Sequence, residues 1–214
     1  MHAHASAVVD RGGVLRRVVS APPVTLRQVY CEDGLGLCLV GTAAGPLAGD
    51  ELCLTLDVEG DTTLVAAGAT IAQGGASTLR TSVVVGAGAR LRADPGLLVV
   101  CAGAHVDIDV HITLDATATI EWRELLVLGR ANEPPGTARL TWNVTRDGTP
   151  LLRQTTNLAD PALTRWPGML RGKRTLATTL RAGPGVDART VVHSPTFVTH
   201  RLAEHAELTT ELTD

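Results

Sequence analysis

Hydrophobic and polar residues alternate with a period of two through much of the chain. ELCLTLDV (51–58) puts Leu52, Leu54, Leu56 and Val58 on one face, against Glu51, Thr55 and Asp57 on the other. AHVDIDVHITL (104–114) does the same with Val106, Ile108, Val110, Ile112 and Leu114, and RLTWNVT (139–145) with Leu140, Trp142 and Val144. Such alternation predicts half-buried strands with those residues turned inward. Further extended runs fall at 14–19, 25–30, 35–42, 174–181 and 189–193. Asp147-Gly148 predicts a tight hairpin. The first 20 residues read as a frayed lead-in that becomes a strand only at 14–19.

A phrase recurs on top of this alternation: VEGDTTL (58–64), VGAGARL (85–91) and LDATATI (114–120). Aligned on Leu64, Leu91 and Ile120, the copies lie 27 and 29 residues apart. Each leaves an apolar position, crosses a small or polar turn and lands on another apolar position. Recurrence at that spacing marks a strand–turn–strand unit whose copies stack and share one core. The pattern changes near residue 158. Asp160-Pro161 has the form of a helix N-cap followed by proline in the first turn. It predicts a short helix at about 161–171, kinked or interrupted at Pro167, and SPTFVTHRLAEHAEL predicts a second at about 196–208. No low-complexity linker divides the chain. The expected fold is mainly β, an irregular β-helix or solenoid-like stack with about two short helices, in one domain over 1–214 with a helical appendage at about 160–172.

Composition narrows the core and the function classes. Apolar residues make up 44%, yet only three Trp, one Tyr and one Phe supply rings, so the core is built from aliphatic and β-branched side chains. Arginine outnumbers lysine 18 to 1, a bias expected of a GC-rich genome. A formal net charge of −3 argues against nucleic acid, which calls for a concentrated basic surface. Cys31, Cys38, Cys53 and Cys101 form no CxxC pair and have no histidines at zinc spacing, so they are expected to be free thiols in a reducing compartment. The N-terminal segment has no continuous apolar stretch of a secretion signal, and LLVVCAGA (97–104) is too short to span a bilayer. The expected location is cytoplasmic, away from membranes.

Candidate chemistry is sparse. Asp107, Asp109 and His111 project from one strand face and are ligand types for a divalent metal, but residues two apart sit roughly 7 Å from one another. They read more simply as a solvated face. His2 and His4 near the N-terminus are a second such pair, and His193, His200 and His205 are spaced as surface histidines. No GxSxG elbow, HExxH or phosphate loop occurs. Glu121 and Glu124 flank Trp122, but alternation puts them on opposite faces, so they make a poor acid/base pair. GPLAGDEL holds Asp50 on a Gly-supported turn ahead of a strand. EWRELLVLGRANE sets Glu124, Arg130 and Glu133 around a strand end and the Gly129 break. The expectation is a non-enzyme.

The order GPLAGDELCLTLDV, GARLRADPGLLV, IEWRELLVLGRANE and TRDGTPLLRQTTNL resembles the UreD (UreH) family of urease accessory proteins, in its short actinobacterial form. The matching positions run from about 39 to 160. The chain departs from the pattern at LVAAGATIAQGG, where a TTQ-type strand followed by K-x-Y is usual. The resemblance implies an irregular β-helix with two helices and a non-catalytic scaffold. That scaffold would bind apo-urease and the UreF and UreG partners and support GTP-dependent nickel insertion. It also implies a water-filled passage for nickel. Carried onto this sequence, Asp50 and Glu124 become its carboxylates, and Arg130 and Glu133 its structural partners, with nickel transient and no tightly bound cofactor.

Isolated carboxylates suit such a passage, since a closed Cys/His cage would trap the ion. A mean hydropathy of +0.16 points to apolar surface left for a partner. Arg165, Trp166, Met169 and Phe197 are of residue types enriched at interfaces and mark the expected partner surface. Two alternatives remain open: a generic β-solenoid binding module and a β-helical enzyme.

Overall fold

The computed structural model describes residues 1–167 and 169–214. Among them the chain forms eighteen strands and one helix. It opens with β1 (His2–Val9), β2 (Leu15–Val19), β3 (Val24–Val29) and β4 (Leu35–Gly41). It then winds through β5 (Glu51–Val58), β6 (Thr62–Ala66), β7 (Thr70–Ala72), β8 (Gly75–Val85), β9 (Arg90–Ala93), β10 (Leu97–Val100), β11 (Ala104–Leu114), β12 (Thr119–Leu128) and β13 (Thr137–Arg146). After β14 (Thr149–Asn157) come α1 (Pro161–Arg165), β15 (Thr175–Ala182), β16 (Val191–Ser194), β17 (Phe197–Ala203) and β18 (Ala206–Thr213).

The winding part is a flattened parallel coil between two sheets. In one sheet β1, β5, β8, β11 and β13 lie side by side in parallel, closed by antiparallel β2 and β14. In the other, β4, β6, β9 and β12 stack in parallel, and β7 and β10 continue the same layer beside β12. Each circuit crosses from one sheet to the other and returns one strand further on. One hydrophobic cluster fills the space between them, and Leu54, Leu56, Val58, Val106, Val110, Ile112, Leu140, Trp142 and Val144 all point into it as the alternation predicts. Antiparallel β15, β18, β17 and β16 extend the second sheet from β12.

The recurrent phrase is the corner of the coil. Val58, Val85 and Leu114, its first residues, stack directly in the order and spacing the sequence predicts. Its last residues do not all do so. Leu91 pairs with Ile120, but Leu64 pairs with Ala93, and it is Thr62 that meets Leu91. The first corner is therefore two residues shorter than the next two. A slip of two keeps every side chain on its original face, so burial cannot report it. The short corner leaves room for a neighbouring turn: a Cβ on Gly60 would lie 2.5 Å from the Asp10 carbonyl and 2.7 Å from the Gly13 nitrogen.

Three expectations are corrected. The N-terminal lead-in is the ordered strand β1, parallel to β5, with Ala3, Ala5, Ala7 and Val9 buried; alanine is a weak strand former, so the alternation was easy to miss. The helix at about 161–171 is a single turn. Asp160 does cap it, accepting from Ala162 N–H at 2.8 Å, but Pro167 offers no amide and the chain closes by short turns. Gly168, inside that span, lies outside the described residues. The C-terminal helix at about 196–208 is instead the hairpin β17–β18. Ala206 and Leu208 alternate inward and β18 pairs with β15 along eight positions, a ladder a helix would leave unmade. No helix among the described residues is long and apolar enough to cross a membrane.

Candidate functional site

The second sheet has a break, and Glu124 faces it. β12 runs unbroken from Thr119 to Leu128, but its parallel neighbour is interrupted. β9 pairs with Thr119–Trp122, the chain bends at 94–96, and β10 pairs with Leu125–Leu128. Arg123 and Glu124 thus have no ladder partner on that edge, although on the other they pair with Thr179 and Thr178 of β15. Alternation turns Glu124 inward with Trp122 and Leu126. The Trp122 indole N–H donates to Glu124 Oε1 at 2.7 Å, and Trp122 itself is fully buried.

Glu124 lines a cavity of about 90 Å³ between the sheets, with Leu52, Leu79 and Ile108 from one side and Thr70, Leu97 and Leu98 from the other. Glu124 itself is half-buried, and the cavity is partly open to solvent. Burial accordingly raises its pKa to about 7; the Trp122 hydrogen bond opposes that shift and the nearby charge of Asp94 adds to it. A carboxyl group that exchanges its proton near neutrality in an apolar chamber can accept a cation or a proton and release it again.

The other named residues are held apart from this chamber. Asp50 is buried, and its carboxylate serves its own turn: it accepts from Leu47 N–H at 2.8 Å and from the Met1 ammonium at 2.9 Å. These bonds, the Leu47 amide foremost, lower its pKa. The turn on which Asp50 stands is thus itself fastened by the carboxylate. Arg130 and Glu133 form a clasp on the loop after β12. Arg130 N–H donates to Oε1 at 2.6 Å, and its guanidinium donates to Oε2 at 3.0 and 3.2 Å. The guanidinium, with that amide, holds the Glu133 carboxyl down at about 2. Arg174 ties the same loop by donating to the Glu133 carbonyl at 2.8 Å.

The expected partner surface divides. Trp166 is 61% exposed, and Arg165 beside it is exposed too, while Leu170 anchors the segment in the core. Met169 packs inward, half-buried against the core. Phe197 stacks on His193 with ring centroids 4.3 Å apart. Of the four residues, Trp166 and Arg165 present the most free surface.

The polar face of the first sheet is a lattice of pairs. Asp107 accepts from Arg139 at 2.9 Å and lies 3.5 Å from His105, and Arg80 pairs with Glu51 and reaches Asp109 at 3.9 Å. His2 meets Glu51 at 3.0 Å and His4 meets Thr55 at 3.0 Å. Among the described residues no three His, Cys, Asp or Glu side chains are arranged to hold a metal ion. Glu121 points outward to Arg181 at 3.1 Å, on the face opposite Glu124. Sequence reasoning missed Trp122 as the donor to Glu124. The signal was there: residues two apart on a strand share a face.

The family model for the UreD urease accessory protein matches residues 2–210. The urease accessory protein UreD 1 of Streptomyces griseus is 37% identical over 158 residues, covering 72% of this chain and 62% of that protein. UreD 1 of Saccharopolyspora erythraea is 35% identical over 179 residues, covering 78% and 70%, and UreD of Frankia alni is 34% identical over 265, covering 96% and 89%. The match thus spans less than two thirds of the Streptomyces griseus relative. Over nearly its whole length, the chain belongs to the UreD family of urease accessory proteins.

Proposed function

We propose that this protein is a non-catalytic scaffold of urease maturation in the cytoplasm. It binds apo-urease together with the UreF and UreG partners and supports GTP-dependent insertion of nickel. Family membership over residues 2–210 supports the maturation role. The single observation that carries the cargo reading is Glu124, the one carboxylate lining a half-open cavity between the two sheets. In that setting the ion meets one weak carboxylate on a largely apolar wall that also carries Cys53, Thr70, Thr81 and Arg80, so it can enter and leave. Asp50 belongs to the same reading as a second carboxylate, on a turn at the start of β5, and the Arg130–Glu133 clasp fixes the loop that follows β12.

The test is urease activation at limiting nickel with the full set of accessory proteins. Glu124→Gln should leave recovery of the complex with UreF and apo-urease intact while lowering the active fraction several-fold, and excess nickel should restore part of it. Full activation at limiting nickel would remove Glu124 from the cargo path. Asp50→Asn should behave likewise; loss of the complex in that variant would assign Asp50 to its turn alone.

A further inference from the structure

Both sheets run out of cover on the side where the chain ends. In the second sheet, strand register carries one inner-facing row from Leu180 on β15 to Leu208 on β18 and His200 on β17. Leu180 and Leu208 are buried, yet His200 is exposed. The neighbouring row runs from buried Thr178 through half-buried Thr210 and Val198 to Val192 on β16, which is 70% exposed. In the first sheet Trp142 on β13 is buried, while Gln154, its register partner on β14, is exposed. Register partners lie on one face of a sheet. The change from buried to exposed along each row therefore marks where the facing layer ends.

The first sheet stops one strand short. Its last strand, β14, packs against β17, so β16 lies beyond its reach. Sheets protect such edges with charge, proline, bulges or short strands. Here Pro150 and the bulge beside it guard only the start of β14. From Leu152 to Asn157 the ladder with β13 is regular, and the opposite edge has no backbone partner among the described residues. Arg153, Gln154 and Thr155 are exposed in succession, so neither face of the strand is covered there. Arg153 is the one charge on β14, and it forms no ion pair among the described residues.

These features select the occupant. An unmade ladder accepts an extended backbone, whose side chains alternate between the two faces. On the inner face they would meet Val192 and Val198, which calls for apolar residues at every second position. On the outer face they would lie beside Arg153, which calls for acidic residues at the positions between. A second copy pairing antiparallel at this edge would bring its own β16 and β17 into the layer these strands already occupy. The edge therefore admits one strand and not a second sheet.

We propose that the open edge of β14, with the uncovered inner face of β16 and β17, is a docking slot for one extended segment of another protein in which apolar and acidic residues alternate. The segment becomes the missing last strand of the first sheet. Its backbone pairs with β14, its apolar side chains cover Val192 and Val198, and its acidic side chains face Arg153. The slot is independent of the chamber and of the reading of Glu124.

The experiment is fluorescence anisotropy of a labelled peptide alternating glutamate and valine, matched in length to the nine residues of β14 and titrated with the full chain. Saturable binding is expected, with slowed amide hydrogen exchange in β14. The same peptide N-methylated at alternate residues should bind at least about tenfold more weakly, because several backbone hydrogen bonds are lost. Arg153→Glu should weaken binding by about 5- to 10-fold and instead favour a peptide with lysine in place of glutamate. Val192→Asp should also weaken it. Both positions are exposed, so both variants should melt as the wild type does. Absence of saturable binding to the wild type would overturn the slot, as would binding that survives both N-methylation and Arg153→Glu. A dimer seen by sedimentation in the absence of peptide, and lost in Arg153→Glu, would overturn the single strand in favour of a second copy.

Discussion

At the residue scale, two buried tryptophans show what a polar partner changes. Trp122 gives its indole proton to Glu124, whereas the buried Trp142 nitrogen has no hydrogen-bond partner among the described residues. An unsatisfied buried donor of this kind costs about 1–3 kcal/mol. Glu124 carries the clearer consequence. Its carboxyl holds a proton to about pH 7 in the folded chain, against an ordinary value of 4.5. The folded state thus binds the extra proton between those values. This contribution is fully present below about 4.5 and is lost as pH rises through 7. From pH 4.5 to 7.5 the wild type should lose up to roughly 3 kcal/mol relative to Glu124→Gln, as read by urea denaturation at both pH values. Parallel curves for the two proteins would show that Glu124 is not desolvated.

At the element scale, the corners decide how the coils fit. The first is two residues shorter than the next, and Gly60 in it lies against the turn that joins β1 to β2. Both close atoms belong to backbone, which cannot move aside as a flexible side chain could. Gly60→Ala should therefore destabilise by about 1–3 kcal/mol, the usual cost of overpacking, and lower the melting temperature by several degrees. Gly86 in the next corner meets nothing closer than 3.4 Å, so Gly86→Ala should stay within about 0.5 kcal/mol of wild type. Equal effects in the two variants would count against the tight fit of the first corner.

At the scale of the whole molecule, the chain offers Trp166 outward from a segment pinned by Leu170. A large exposed ring on an anchored loop is the kind of side chain that dominates an interface. Trp166→Ala should leave the melting temperature within a degree or two, because the ring contributes little to the core. It should weaken recovery of the complex with UreF by about tenfold or more, the loss expected for an interface anchor. Unchanged recovery would take this segment out of the partner surface. Of the other residues named for that surface, Met169 packs against the core and Phe197 stacks on His193, so both have less area free than Trp166.

The alternation of side chains by itself determined the inward faces of β5, β11 and β13, because period two survives any arrangement of neighbouring strands. The spacing of the repeated phrase determined the coil, and Asp147-Gly148 its last hairpin, with both residues at positive φ. Helix signals near the C-terminus misled because LAEHAEL carries apolar residues at helical as well as strand spacing, and only the open edge of β15 chose between them. The two-residue slip at Leu64 and the parallel docking of β1 were likewise decided by partners distant in sequence. So was the site. Trp122 and Glu124 share a face by their spacing alone, but nothing local to them reveals that β9 and β10 part opposite Glu124. A chamber belongs to the packing of two sheets, and its one carboxylate takes its chemistry from what surrounds it.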